Sequence, residues 1–179
     1  ADYYHKSKLV PGVERMPYPH LFKFLDKYAI DLGGTTGSLG ISNEPKVFKR
    51  GKTNVAPIIC YESIYGEYVT EFVKRGAKVI CIITNDGWWS DSPGHRQHMS
   101  YASLRAVETR RSIVRSANTG ISCFISQKGE LLMKTNYWEP TSVSHLVNEN
   151  EQITIYTQYG DYIGRISLFA SIASVLIVI

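Results

Sequence analysis

The 179-residue chain is 44% hydrophobic and 20% charged, which suits one folded domain and excludes a disordered chain. Its formal charge of +4 comes without a run of Lys or Arg, so a nucleic-acid-binding stripe is excluded, while an anionic surface such as phospholipid stays open as a partner. Three cysteines without a Cys-x-x-Cys pair indicate neither a disulfide framework nor a zinc knuckle.

In chain order, residues 1–20 read as a strand entering a proline-rich loop. Residues 21–28 suit a short helix. Residues 33–40 form a flexible glycine-rich loop that lacks the Gly-Lys-Ser/Thr of a P-loop. A hairpin through Val47 and Phe48 leads into the apolar run Val55-Ala56-Pro57-Ile58-Ile59-Cys60. Residues 67–75 predict a short helix ended by Gly76. The β-branched run 79–84 predicts a strand covered on both faces. It closes in Asn85-Asp86-Gly87-Trp88-Trp89, at a strand's C-terminal end, where ligands commonly sit in α/β sheets.

Residues 95–111 predict a helix with Met99, Ala102 and Ala106 on one stripe and Arg105 spaced to pair with Glu108. Strands over 112–116, 122–125 and 130–133 follow, and the stretch to Tyr156 reads as edge strand and loop. From Ile166 to Ile179 the chain carries no charge. Taken alone, that run suits a buried core element or a membrane helix. Behind Gly164-Arg165, and still apolar at its last residue, it favours the start of a transmembrane helix over residues 164–179. Early alternation of strand and helix, then late hairpins, predicts an α/β class with a mixed sheet in residues 1–163.

Cys60 is the position that carries chemistry. It ends an apolar run and is followed at once by Tyr61-Glu62. Such a thiol is either a small core hydrophobe or a nucleophile at the tip of a buried strand. Cys81 and Cys123 lie inside apolar runs and read as core. A reactive thiol needs a cation and a base. Lys6 and Glu14 in one cluster, Glu62 beside the thiol, and the Asn85-to-His98 stretch supply candidates. Lysine, cysteine and carboxylate together form a kit for acyl transfer. Spacing alone does not show that they meet; a lysine and a glutamate in a loop are commonly just solvated charges. His95 and His98 lack a third ligand cluster, so no metal and no cofactor is expected. Arg105, Glu108 and Arg115 read as structural ion-pairing groups, and Asn118 as a turn residue.

The ordered set His5-Lys6-x-x-Leu9-Val10-Pro11-x-x-Glu14, Ile59-Cys60-Tyr61-Glu62, Asn85-Asp86-x-Trp88, Gln97-His98, Arg105-Ala106-x-Glu108 and Arg115-Ser116-x-Asn118-x-Gly120-Ile121 resembles the carbon–nitrogen hydrolase (nitrilase) superfamily. Within it the set is most similar to the apolipoprotein N-acyltransferases of the bacterial inner membrane. The resemblance implies a nitrilase-like αββα sandwich and a Glu–Lys–Cys triad, with Cys60 as nucleophile and Lys6 as the triad lysine. Glu14 matches a second glutamate needed for activity. Tyr61 and Glu62 match the pair after the nucleophile, with the Tyr61 N–H as oxyanion donor. Trp88, Trp89, Asn85 and His98 are the expected substrate-binding residues. The implied reaction moves an acyl chain from a phospholipid, through a Cys60 thioester, to the α-amine of a diacylglyceryl-cysteine on an apolipoprotein. The implied location is the inner membrane, with the catalytic domain facing the periplasm.

Two departures accompany the resemblance. The family's triad glutamate precedes the lysine motif and falls before residue 1, so the N-terminal strands are expected to be missing and the chain is expected to be inactive alone. The wording around Val13 and Pro93-Gly94-His95-Arg96 also differs, with Arg96 where an aromatic is common. The alternatives are a soluble amidase or nitrilase, and a non-catalytic membrane-anchored binding domain.

Overall fold

The structure, a computed structural model, describes residues 2–11, 14 and 40–178. The helix expected over 21–28 and nearly all of the loop over 33–40 lie outside the described residues. The strand expected near the N-terminus is absent: the described residues between 2 and 10 form bends and extended chain that pair with no sheet strand.

Six strands make one mixed sheet in chain order: β1 (Phe48–Arg50), β2 (Thr53–Ile59), β3 (Val79–Thr84), β4 (Ser112–Ala117), β5 (Cys123–Ile125) and β6 (Leu131–Lys134). The central three are parallel, and antiparallel neighbours flank them on both sides. Helix α1 (Gly66–Lys74) crosses from β2 to β3, and α2 (Pro93–Thr109) from β3 to β4. Parallel neighbours require such crossovers.

Alternation along the strands sends Ala56, Ile58, Ile80, Ile82 and Ile113 to the helical side. There they pack on Val69 and Phe72 of α1 and on Ala102 and Ala106 of α2. Helix α1 stops where the sequence indicates. Gly76, at φ +92°, turns the chain so that its N–H reaches the Val73 carbonyl and the Ala77 N–H reaches that of Phe72. This is the Schellman arrangement that favours glycine. Ser92 caps the start of α2, accepting from the Gly94 N–H, with Pro93 in the first turn.

The opposite sheet face corrects the expectation for β3. Pro57, Cys81 and Val114 share one register row, and Ile59, Ile83 and Ser116 share another. Cys81 and Val114 are only half-buried, and Ile83 is 57% exposed. An unbroken apolar run therefore does not mean two covered faces among the described residues. The edge strand expected before Tyr156 is also absent. Residues 135–154 instead run back as irregular chain, accepting hydrogen bonds from Ser112 at Asn148 and from Arg111 at Gln152.

After α3 (Ile155–Tyr159) comes α4 (Tyr162–Val178). Its root is tied to α1: Glu67 accepts from the Asp161 N–H at 2.8 Å and pairs with Arg165. Beyond that root, Ile166, Leu168, Phe169, Leu176 and Ile177 are all exposed. No helix among the described residues is long and apolar enough to cross a membrane.

Candidate active site

The sheet delivers Cys60 to the C-terminal end of β2, in a single 3₁₀ turn, Cys60–Ile64. Its φ is +52°, in the left-handed region. A side chain with a Cβ pays about 1–2 kcal/mol there. Strain of this kind persists only where surrounding contacts over-determine it, and it gathers at functional sites.

Glu62 supplies much of that determination. Its carboxylate is fully buried and accepts from the Ile59 N–H at 2.7 Å, the Ser7 N–H at 2.6 Å and the Tyr4 hydroxyl at 2.7 Å. Burial pushes the Tyr4 phenol well up, so it remains a donor. With these acceptor positions filled, Glu62 stitches the N-terminal segment to the end of β2. Glu62→Ala strands two backbone donors, and urea unfolding is expected to show a loss of about 2–4 kcal/mol.

An open cleft of about 550 Å³ lies over the turn. Cys60, Tyr61, Trp88, Trp89 and His98 line it together with Ile64, so its wall is largely apolar and aromatic. The Trp89 ring lies close against Gly94, where a Cβ would come within 2.5 Å of it. Lys6 and Glu14 come together as a pair, Nζ lying 2.8 and 2.7 Å from the two carboxylate oxygens. Glu14 is fixed further by the Val10 N–H at 2.8 Å, and Val10 and Pro11 reach the cleft wall. Asn85 does not line the cleft. Its side chain accepts from the Gly87 N–H and from Thr119, and its carbonyl from the Trp88 indole, so it shapes the loop that presents Trp88.

Sequence reasoning missed Asp86 and Ser63. Asp86, fully buried, accepts from Thr84 Oγ1 at 2.9 Å, from His98 Nδ1 at 2.9 Å and from Arg115. Burial opposes its ionisation, but the His98 hydrogen bond and the Arg115 guanidinium outweigh that and hold the carboxyl at about 2. His98 Nε2 in turn lies 3.1 Å from Ser63 Oγ and 3.3 Å from the Cys60 carbonyl oxygen. Ser63 donates to that same carbonyl at 2.8 Å. Gly120 passes so close to Asp86 that a Cβ would meet its carboxylate at 2.7 Å. The available signal was the Asn85-Asp86 pair, in which the acid, not the amide, is the anchor.

The other thiols differ from Cys60 in setting. Burial pushes Cys123 up to about 11 and raises Cys81, which leaves both as poor sources of thiolate. His95 and His98 part company, His95 stacking on Tyr137 at 4.0 Å between ring centres. Among the described residues no three His, Cys, Asp or Glu side chains form a metal-holding group.

The site is thus a thiol on a turn of positive φ at the end of a parallel strand, in a mixed α/β sheet, opening on a cleft whose wall Val10 and Pro11 share. The carbon–nitrogen hydrolase family matches residues 1–154, and the chain belongs to that family. Its relatives include the apolipoprotein N-acyltransferase of Chlorobaculum tepidum, 36% identical over 97% of this chain and 33% of that protein. That of Thermotoga maritima is 31% identical over 97% of this chain and 34% of that protein. This chain thus spans about a third of the length of these curated relatives. An amidase from Nesterenkonia sp. AN1 overlaps it with a TM-score of 0.47 at 19% identity, covering 58% of this chain and 43% of that one.

Proposed function

We propose that this chain is the nucleophile-bearing part of an N-acyltransferase that moves a fatty acyl chain from a phospholipid to the α-amine of a diacylated apolipoprotein. The observation that carries the reading is Cys60, held left-handed at the mouth of an apolar, aromatic cleft, in a chain similar to apolipoprotein N-acyltransferases.

The Cys60 thiolate attacks the phospholipid ester carbonyl. The carbonyl oxygen becomes an oxyanion, stabilised by the Tyr61 N–H and the Lys6 ammonium. The C–O bond to glycerol breaks, the alcohol takes the proton lost by the thiol, and a thioester remains. The neutral α-amine of the acceptor then attacks the thioester carbonyl. The C–S bond breaks, the amine proton passes to the base, and the thiolate returns. Trp88 and Trp89 surround the thioester with apolar surface that excludes water, which would otherwise hydrolyse it. Glu14 keeps Lys6 in place.

The base is the triad glutamate that the family resemblance implies; Glu14, held by Lys6 and the Val10 N–H, and Glu62, filled by three donors, do not stand in for it. The half-buried Cys81 and Val114, with the exposed Ile83 beyond them, suit a face that a second sheet would cover in the αββα sandwich to which residues 1–163 belong. Helix α4 is the beginning of a membrane anchor from residue 164, with the catalytic domain at the outer face of the inner membrane. Its exposed apolar surface supports that location over a soluble amidase.

The test uses the full-length protein in detergent with phosphatidylethanolamine and a diacylated lipopeptide. The lipopeptide is expected to gain one acyl chain, whereas the 179-residue chain alone transfers none. Free fatty acid with no acylated peptide would mean a hydrolase. Transfer by the isolated chain would overturn the placement of the base.

A further inference from the structure

The geometry points to His98 and Ser63 as positioning residues that lock the Cys60–Tyr61 peptide so that the Tyr61 N–H faces the reacting carbonyl. This rests on the acyl-transfer reading of the same site.

A peptide unit is rigid and, in trans, its C=O and N–H point in opposite directions. No peptide bond in the described chain is cis. Whatever fixes the Cys60 carbonyl oxygen therefore fixes the direction of the Tyr61 N–H. That oxygen sits in a closed triangle of polar atoms. Ser63 Oγ is 2.8 Å from it, His98 Nε2 is 3.3 Å from it, and the two side-chain atoms are 3.1 Å apart. Ser63 and His98 are both buried, at 1% and 7% exposure. His98 is held from behind, its Nδ1 by Asp86, and Asp86 by Arg115 and Thr84.

The clamp thus gathers the ends of three neighbouring strands. Cys60 follows β2, Thr84 ends β3 with Asp86 two residues beyond it, Arg115 lies in β4, and His98 enters from α2. With the carbonyl drawn inward to this network, the opposite edge of the peptide is turned outward, toward the cleft that Cys60 and Tyr61 line. A left-handed residue is where a peptide can flip at small cost, so an oxyanion donor there needs such a lock. Preorganisation of this kind is what makes an oxyanion donor effective, since no reorientation remains to be done during the reaction.

The test compares Ser63→Ala, His98→Ala and His98→Gln with the wild type, all as full-length protein. Loss of either clamp atom is expected to lower kcat for acyl transfer by at least about 10-fold and at most the roughly 100- to 1,000-fold that loss of an oxyanion donor itself costs, with KM within about twofold. His98→Gln keeps a polar amide near the Nε2 position and is expected to recover part of the rate. Alkylation of Cys60 by iodoacetamide forms no oxyanion, so its rate is expected to stay within about threefold in every variant. Unchanged kcat in both alanine variants, or equal falls in kcat and alkylation, would overturn the clamp. A crystal structure of Ser63→Ala/His98→Ala decides independently of turnover. A 60–61 peptide that is turned or split between two orientations supports the proposal, and one that holds its orientation refutes it. If wild-type protein transfers no acyl group at all, the acyl-transfer reading fails, and the structural arm still decides the clamp.

Discussion

Cys60→Ala in the full-length protein is expected to lower acyl transfer by at least about 10³-fold, because removing the nucleophile of a covalent mechanism removes the intermediate and not merely one contact. The loss should fall on kcat. The cleft walls of Trp88, Trp89 and Ile64 remain, so the lipid still binds. Strain at φ +52° gives the variant an internal control. Alanine keeps a Cβ in the left-handed region, whereas glycine does not. Cys60→Gly is therefore expected to be as inactive as Cys60→Ala but more stable by about 1 kcal/mol, read from urea midpoints. Equal stabilities would mean that the turn stores no strain.

Arg115→Met is expected to cost about 3–5 kcal/mol, because it leaves the fully buried Asp86 carboxylate without its guanidinium partner. Adding Asp86→Asn is expected to recover a large share of that loss, since the orphaned charge is then gone. The pH dependence has a definite sign. The folded-state value of Asp86 is depressed from 3.8 to about 2. Its contribution to stability is therefore complete above pH 4 and disappears as pH falls from about 4 to about 2. Thermal melts across that window should show a shallower acid-side fall in Arg115→Met than in the wild type. An identical fall would place the acid sensitivity elsewhere.

The parallel centre of the sheet was legible because its strands are short β-branched runs ended by recognisable signals. Val79–Thr84 closes in Asn85-Asp86-Gly87, and α1 closes at Gly76, where only a turn of positive φ fits. Local patterning does not report what lies across a sheet. The run through Cys81 and Ile83 looks the same whether its second face is covered or open, so the exposure of Ile83 could not be read from it.

The site divided along the same line. Cys60 stands out by its place at the end of an apolar run, and Lys6 and Glu14 only through the motif resemblance that includes them. The φ of Cys60 is a tertiary consequence of Glu62 tying Ile59 to Ser7, residues far apart in sequence. Asp86, His98 and Ser63 meet only because β3, α2 and the turn after β2 converge. Their separations follow no helical or strand period. His98 is among the substrate-binding residues that the family resemblance implies. It does line the cleft, yet both ring nitrogens face protein atoms.

The acyl–cysteine intermediate is the central claim, and intact-peptide mass spectrometry tests it most directly. Full-length protein in detergent is incubated with phosphatidylethanolamine and no acceptor, then digested. The expected result is a fatty-acyl mass on the Cys60 peptide that hydroxylamine removes and that disappears when a diacylated lipopeptide is added. An unmodified Cys60 in protein shown to be folded, or an acyl mass that the lipopeptide does not discharge, would contradict it.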